Sequence, residues 1–424
     1  MLITLRSLTP DHPSPEPATL TVERPAPPTE PAKVRPKLVI LGVPLGAPQY
    51  IAGVLLLLFL VQGMWLISRR PLTEMELSYV RLGQAELHGQ GVADGGRSPL
   101  VSILAAAPVL RDYTPDPAGA AGIEPPPMID YAPAWRWLVR LPFLIVGVLL
   151  GSSVWYVSRR LYGNAGGYIA LTLYAFSPAM LTRAASVQPG VVGAWGCFGA
   201  VFTGIAVAHT LYAPREVVLW NWQRILLMGL SFGLAAGARF SLLIVVPLAL
   251  AFMLYLAPER RRAALVIFAA SCAVGFLVLW ASWGFRLNAL LAGGGRSGLF
   301  DFTLAPFAHR ITYILLAQFL LPMPALFVLL LAALATYALW QRTRFFGTTA
   351  PLLVFLLLMA LGIAMPRQGG YNFFIAALPF AFVFVAGVFA DLLETSYGGL
   401  VAGIAAGVLL GHAVFSLAAL MAVR

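Results

Sequence analysis

The chain has 424 residues, of which 60% are hydrophobic and 11% are charged, and its mean hydropathy is +0.84. These values exclude an ordinary soluble domain, in which about 25% of the residues are charged. The net charge of +11 does not indicate a nucleic-acid partner, because the basic residues stand in short clusters between long apolar runs, as they do in a polytopic membrane protein.

The apolar runs predict an all-α polytopic membrane protein with about eleven transmembrane helices. A span needs about 20 apolar residues, and lipid offers no hydrogen-bond partner to an open backbone. The candidate spans are 49–68, 137–158, 164–181, 187–208, 225–238, 240–257, 262–282, 316–340, 349–365, 371–391 and 399–421.

The distribution of arginine between the predicted spans gives the topology. Clusters occur in alternate loops, at Arg159-Arg160, Arg215 with Arg224, Arg260-Arg261-Arg262, and Arg342 with Arg344, whereas the opposite short loops carry the single arginines Arg183, Arg239 and Arg367. Because cytoplasmic loops are enriched in Lys and Arg, this pattern predicts a cytoplasmic N-terminus and an extracytoplasmic C-terminus. We expect an integral protein of a bacterial-type inner (plasma) membrane.

The chain is predicted to contain a tail and one transmembrane domain. Residues 1–37 include nine prolines and few large apolar side chains, which predicts a disordered cytoplasmic tail. Residues 38–424 would form a single transmembrane domain, with the first span as an uncleaved anchor. Its large extracytoplasmic loop is predicted at 69–136, and a second outer loop is predicted at 284–312.

The large outer loop should contain juxtamembrane helices. Residues 73–88 are predicted to be helical, with Thr73 as the cap and Glu76 at the capping-box position. The apolar stretch 99–110 is too short to span a membrane, so an interfacial or re-entrant segment is expected there.

The acidic residues point to this loop as the place of function. Eight of the 17 acids lie between Glu74 and Asp130, and ionisable groups are costly elsewhere in a bilayer. Carboxylates at a membrane boundary can act as general bases or bind a cation, and arginines bind phosphate bidentately. The combination suits a phosphorylated lipid whose head group binds or reacts outside the membrane.

Common catalytic motifs are missing from the sequence. It contains no Walker loop, dinucleotide fingerprint, HExxH or Cys-x-x-Cys motif. The five histidines are scattered, so no histidine-built metal site is predicted. Cys197 and Cys272 lie inside apolar spans, which is typical of small buried hydrophobic side chains.

Several motifs occur together in an order that resembles a known family. They are Glu76-Leu77-Ser78-Tyr79 after the first span, Arg97-Ser98-Pro99-Leu100, the run Gly151 to Gly163, Ala175-Phe176-Ser177-Pro178, the run Gly229 to Arg239, and the run Arg367 to Pro379. In this order they resemble the GT-C superfamily of integral membrane glycosyltransferases, and within it the branch of aminoarabinose transferase and protein O-mannosyltransferases. The resemblance covers roughly residues 49–260, with a weaker echo at 367–391.

The resemblance implies an inverting glycosyltransferase that takes a sugar from a polyprenyl-phosphate donor. The acceptor would be a lipid, glycan or protein on the extracytoplasmic face, and membrane lipids would surround the enzyme. A carboxylate must accept the acceptor's proton, and cationic groups must stabilise the leaving phosphate. The chain departs from the family pattern at two positions. Met75 occupies the position of the family's first catalytic Asp, and Gln188 stands about where family members often have a further acid.

The predicted site residues follow from these matches. Glu76, or failing that Glu74, is the predicted catalytic base. Substrate binding is assigned to Tyr79, Arg97, Gln188, Arg239, Arg367 and Tyr371. No cofactor is assigned, and the use of a divalent cation is left open.

Each of these residues also has a structural interpretation. Glu76 could be a helix-capping carboxylate, and Glu74 a solvated charge. Arg97 could be a snorkelling anchor, and Tyr79 an aromatic-belt residue. The cationic residues Arg239 and Arg367, and Tyr371 with them, could mark membrane boundaries.

Two other functional classes are compatible with the sequence. The first is a non-catalytic GT-C-like subunit of a membrane complex, or a protein that binds a lipid-linked sugar, which the missing Asp and Gln188 favour. The second is a transporter, against which stand the lack of an evident inverted repeat and of an acid within a mid-membrane span.

Overall fold

The computed structural model describes residues 39–40, 43–44, 46–89, 99–112, 134–212, 222–296, 307–365 and 367–422. The chain divides into two compact units, Met1–Gly46 and Ala47–Arg424. In the first unit, β1 (Val39–Ile40) and β2 (Val43–Pro44) pair antiparallel, with Val39 opposite Pro44. The predicted tail, residues 1–37, lies outside the described residues.

The described part of the second unit is helical, which confirms the predicted all-α fold class. Its first half contains α1 (Ala47–Arg69), α2 (Glu74–Leu87), α3 (Pro99–Ala106) continued by a 3₁₀ helix (Ala107–Asp112), α4 (Trp135–Leu138), α5 (Leu141–Ala175), α6 (Pro178–Ala184), α7 (Pro189–Thr210) and α8 (Trp222–Ala238).

The second half begins with a 3₁₀ helix and continues with mostly long apolar helices. In order these are the 3₁₀ helix Phe240–Ile244, α9 (Val245–Leu256), the 3₁₀ helix Pro258–Arg260, α10 (Arg261–Ser282), α11 (Leu287–Arg296), α12 (Phe307–Ile311), the π-helix Thr312–Leu320, α13 (Pro324–Leu339), the 3₁₀ helix Gln341–Thr343, α14 (Phe346–Ala364), α15 (Arg367–Leu393) and α16 (Gly398–Met421).

Every predicted span falls on helical structure, but the count of eleven spans is not confirmed. By length and composition, seven helical segments among the described residues could cross a membrane, or eight if one bent pair is a single span. Two of the predicted spans lie on helical segments at the lower limit of the length that a bilayer requires, because α8 has 17 residues and the second segment runs only from Phe240 to Leu256.

Helix α5 contains a reversal that merges two predicted spans. Gly163 has φ 74° and ψ −169°, a conformation that glycine adopts without a Cβ penalty. Beyond it the chain turns back, since the Tyr174 hydroxyl donates to the Gly147 carbonyl. Residues 141–162 and 164–175 therefore form an antiparallel helical hairpin, as the spans predicted at 137–158 and 164–181 require.

The span predicted at 316–340 is broken in the structure. The segments His309–Leu320 and Pro324–Leu339 meet at 108°. Pro322 and Pro324 flank the break, and proline removes a backbone donor and collides with the preceding helical turn. The hydropathy of the run does not show this bend, whereas the two prolines in its sequence are a signal for a helix break.

The core of the bundle surrounds α15. Within Gly370–Leu393 an apolar stretch of 18 residues is entirely buried. The segment contains the fully enclosed rings of Phe374, Phe380, Phe382 and Phe384. A helix that is hydrophobic on all sides must be surrounded by lipid or by other apolar helices. Helices α5, α7 and α14 pack against α15 and fulfil this requirement.

The juxtamembrane helices lie where the sequence predicts them. Thr73 caps α2: its hydroxyl accepts from the Glu76 N–H at 3.3 Å, and the Glu76 carboxylate accepts from the Thr73 N–H at 3.0 Å. The predicted capping box is thus confirmed. Helix α3 packs on α2 so closely that a Cβ at Gly83 would collide with the Ser102 carbonyl.

Candidate functional site

Glu76 lies in the first turn of α2, at a buried junction. Its carboxylate forms a bidentate ion pair with Arg140, with Nε–Oε1 at 2.8 Å and Nη2–Oε2 at 2.6 Å. Both side chains are 2% exposed. Bidentate pairs of this kind are the strong and geometrically specific ones.

Other parts of the chain complete this junction. The Val187 N–H, in the turn between α6 and α7, donates to Glu76 Oε1 at 3.0 Å. Arg140 in turn donates to the carbonyls of Arg70 at 2.8 Å and Pro71 at 2.7 Å. The ion pair therefore joins the α1–α2 loop, the start of α5 and the α6–α7 turn.

The Glu76 carboxylate has no acceptor capacity left for a substrate. Oε1 accepts from Arg140 and Val187, and Oε2 accepts from Arg140 and from the amide and hydroxyl of Thr73. A carboxylate offers about four lone-pair sites. These contacts favour a role for Glu76 in organising the loop over a role as proton acceptor.

The ionisation of Glu76 supports this interpretation. Burial by itself raises the pKa of a carboxyl, but the hydrogen bonds and charge of Arg140, with the Thr73 and Val187 amides, outweigh it and hold the pKa of Glu76 below its ordinary value of 4.5. A general base works best with a pKa near the operating pH. Glu76 is a weaker base than an ordinary glutamate.

Glu74, the second predicted base, has a different environment. It occupies the first turn of α2 and is exposed, as is its neighbour Met75. An acid in the first turn is favoured by the helix dipole. Of the two predicted bases, Glu74 is the one that solvent or an acceptor can reach.

Tyr79 and Arg239 lie near one another beside this junction. Tyr79, one turn after Glu76 on α2, is 6% exposed and within electrostatic reach of the half-buried Arg239. Arg239 stands in extended conformation between α8 and the following 3₁₀ helix. The structure thus brings together two of the predicted substrate-binding residues.

Arg97 lies outside the described residues. Helix α3 begins two residues later at Pro99, and Leu100 packs against Gly237, two residues before Arg239. The segment that follows Arg97 is therefore held against the end of α8.

The remaining predicted residues lie near the α6–α7 turn and at the start of α15. Gln188 is half-buried, follows Val187 directly and is the N-cap residue of α7, where its side chain makes no capping bond. The Arg183 guanidinium lies over the Tyr371 ring, with Arg183 Cζ 4.1 Å from the ring centroid. Arg367 begins α15, but its side chain lies outside the described ones.

Sequence reasoning missed Arg140 and misjudged Arg310. Arg140 precedes a span and reads as one more boundary arginine, yet it is the partner of Glu76. Arg310 falls in the outer loop predicted at 284–312, where a solvated charge is expected. It is 7% exposed and donates to the Ala364 carbonyl at 3.0 Å. Neither contact leaves a local sequence signal, because the partners lie 64 and 54 residues away.

A second ion pair lies at the C-terminal end of α2. Glu86, 6% exposed, pairs with Arg286, which precedes α11. The first and second outer loops predicted from the sequence are therefore in contact. Among the described residues, no three His, Cys, Asp or Glu side chains lie close enough together to hold a metal ion.

The helical arrangement of this chain is similar to that of solved oligosaccharyltransferase structures, and the likeness concerns the fold alone. The oligosaccharyltransferase AglB from Archaeoglobus fulgidus, in complex with an inhibitory peptide and a dolichol-phosphate, matches 88% of this chain with a TM-score of 0.58 and 15% identity. An oligosaccharyltransferase of the same organism in complex with Zn and sulfate matches 85% of the chain with a TM-score of 0.54 and 15% identity.

The chain spans about half the length of these two archaeal proteins, 56% of the AglB chain and 52% of the chain with Zn and sulfate. ArnT from Cupriavidus metallidurans matches 81% of this chain and 76% of its own, at 12% identity, with a TM-score of 0.33, which is too low to support an inference. No protein-family model matches the sequence. No curated protein sequence matches it either.

Proposed function

We propose that this protein is a membrane glycosyltransferase that transfers a sugar from a polyprenyl-phosphate donor to a lipid, glycan or protein acceptor. The transfer would occur at the end of the bundle that carries α2 and α3. The observation that carries the proposal is Arg239, a cation held at a break between helices beside Tyr79 of α2. A cation within the membrane domain is a functional candidate by default.

The donor phosphate is assigned to Arg239 and Arg97. The packing of Leu100 on Gly237 supports their convergence, since both residues stand close in sequence to this contact. The dolichol-phosphate in the AglB complex supports a lipid-linked phosphate as the donor. Gln188, Arg367 and Tyr371, near the α6–α7 turn and α15, are assigned to the sugar and the lipid head group.

The base is assigned to Glu74, with Glu76 as the residue that positions the loop around it. Glu74 is exposed, whereas Glu76 is saturated by Arg140, Thr73 and Val187. Membrane orientation follows the arginine clusters: α2 and α3 are extracytoplasmic and the N-terminus is cytoplasmic.

One observation favours a second candidate, a non-catalytic GT-C-like subunit that binds a lipid-linked sugar. The acid that has the family's spacing to Tyr79 is locked in an ion pair, and Gln188 replaces a further acid. Such a protein would bind the donor through the same arginines without transferring the sugar.

A transfer assay distinguishes the two candidates. Purified protein is given a polyprenyl-phosphate sugar and a pool of acceptors, with Mg²⁺ or Mn²⁺ and with a chelator. General-base help is worth about 10²–10⁴-fold, so Glu74→Gln should lower transfer by at least about 10²-fold without weakening donor binding. Transfer at the parent rate in Glu74→Gln removes Glu74 as the base. Donor binding without transfer by the parent favours the non-catalytic subunit.

A further inference from the structure

An apolar groove lies between α9 and α14, at the other end of the bundle from α2. Its volume is about 240 Å³. Residues 248, 251, 252 and 255 of α9 face residues 346, 349, 350 and 353 of α14. Each set follows the i, i+3, i+4, i+7 spacing of one helix face, so the groove is a slot between two parallel stripes about 10 Å long.

The groove is closed at one end and open along its side. The Tyr255 and Phe346 rings stack with centroids 6.2 Å apart and an angle of 18° between their planes. From there the slot continues toward Leu353, which is 54% exposed. Thr349 is a polar residue in the lining, and its hydroxyl is already bonded to the Tyr337 hydroxyl at 2.9 Å. Apart from the Tyr255 and Thr349 hydroxyls the lining is apolar, so the slot suits a hydrocarbon chain better than a sugar.

Exposed arginines stand close in sequence to Tyr255 and Phe346, at the closed end of the groove. Arg260, Arg261 and Arg262 are exposed and follow Tyr255 within seven residues, and the exposed Arg344 precedes Phe346 by two. Tyr255 itself is 74% exposed, as is typical of an aromatic residue at head-group level. A basic rim above an apolar slot is complementary to one negative charge carried on an acyl chain.

We propose that this groove binds an anionic phospholipid of the leaflet on the arginine side. One acyl chain lies between α9 and α14, and its phosphate is held by the arginines after Tyr255. The phosphate of the donor is assigned to the opposite end of the bundle, so this lipid is a second, structural ligand. It fills a slot that would otherwise separate the two helices.

Native mass spectrometry of the full chain tests the proposal. The protein is titrated with phosphatidylglycerol, with phosphatidylcholine of the same chains, and with a polyprenyl phosphate. Each arginine near an anionic head group contributes enough for a several-fold preference, so the parent should bind one phosphatidylglycerol at least about tenfold more tightly than phosphatidylcholine.

Matched variants locate the site. Leu353→Trp fills the slot and should abolish this binding, whereas Leu356→Trp, on the same helix and 48% exposed, should leave it unchanged. Arg261→Gln with Arg262→Gln should remove most of the preference, and Arg159→Gln with Arg160→Gln should not. The arginine variants keep the test decisive if Leu353→Trp unfolds the protein.

Three results would overturn the proposal. They are equal binding of the two phospholipids, equal binding by the two tryptophan variants when both are folded, and displacement of bound phosphatidylglycerol by an equal concentration of polyprenyl phosphate. The last result would assign the slot to the donor's isoprenoid tail.

Discussion

Glu76 and Arg140 show how burial determines what a charged side chain can do. Each is 2% exposed, and each satisfies the other's charge while also bonding to backbone groups of a neighbouring segment. Removing one partner would leave the other buried and uncompensated. Such a change costs far more than the pair itself contributes to stability.

Replacing Glu76 with Gln should therefore destabilise the protein by about 3–5 kcal/mol. The matched control is Glu394→Gln, which breaks an ion pair with Arg342 in which the side chains are 71% and 54% exposed. Exposed pairs contribute about 0–1 kcal/mol. The free energy of unfolding, measured in the same detergent, should fall much more in Glu76→Gln than in Glu394→Gln. Similar destabilisation in both variants would contradict the buried ion pair of Glu76.

The lowered pKa of Glu76 predicts how its contribution depends on pH. The folded state binds this proton less tightly than the unfolded chain, so the stabilisation is complete above the ordinary pKa of 4.5 and is lost as the pH falls through the lower, folded value. The difference in unfolding midpoint between parent and Glu76→Gln should stay constant from about pH 8 to about pH 5.5 and shrink below about pH 4.5. A difference that changes near neutral pH would contradict the assigned pKa direction.

At the scale of one residue, sequence reasoning succeeded where partners are local. Thr73 and Glu76 are three residues apart, and their capping box could be predicted from that spacing alone. Arg140 could not be found, because it meets Glu76 across 64 residues of chain. The same spacing rule therefore identified Glu76 without revealing that its carboxylate is fully occupied.

Among the elements, the pair α2 and α3 positions the site. Gly83 brings the two helices into backbone contact at Ser102, and the Gln84 side chain donates to the Val109 carbonyl at 3.0 Å. This packing holds Tyr79 and the residues after Arg97 near the end of α8.

Adding a methyl group at Gly83 should loosen this pair. Gly83→Ala forces Cβ into the Ser102 carbonyl and should cost about 1–3 kcal/mol, as overpacking does. The control is Gly53→Ala in α1, where a Cβ meets nothing within 4 Å; there the gain in helix propensity should make the change neutral or stabilising by up to about 1 kcal/mol. The stability of each variant is measured by unfolding and by limited proteolysis between α2 and α3. Equal stability of Gly83→Ala and Gly53→Ala would refute the close approach of α2 and α3.

The positions of the elements could be predicted from apolar periodicity, but their geometry could not. The reversal at Gly163 depends on one positive φ angle, and the 108° bend depends on Pro322 and Pro324 within an otherwise apolar run. Local breaks of this kind alter the number of spans without altering the hydropathy of the segments.

For the whole molecule, the fold determines which candidate residues share one end of the bundle. Helix α2 with Glu76 and Tyr79, the α6–α7 turn with Val187 and the helix break with Arg239 meet there although they come from separate parts of the sequence. The fold is similar to that of an archaeal oligosaccharyltransferase over 88% of the chain. The basic rim of the apolar groove lies at the opposite end.

Donor binding tests the central claim most directly. The dissociation constant of a polyprenyl-phosphate sugar is measured for the parent, for Arg239→Ala, and for Arg342→Ala as the control at the other end of the bundle. Because Arg239→Ala removes a phosphate contact, its dissociation constant should rise at least about tenfold, which corresponds to about 1.4 kcal/mol. The dissociation constant of Arg342→Ala should equal that of the parent. Parent-like binding by a folded Arg239→Ala would contradict the proposed donor site.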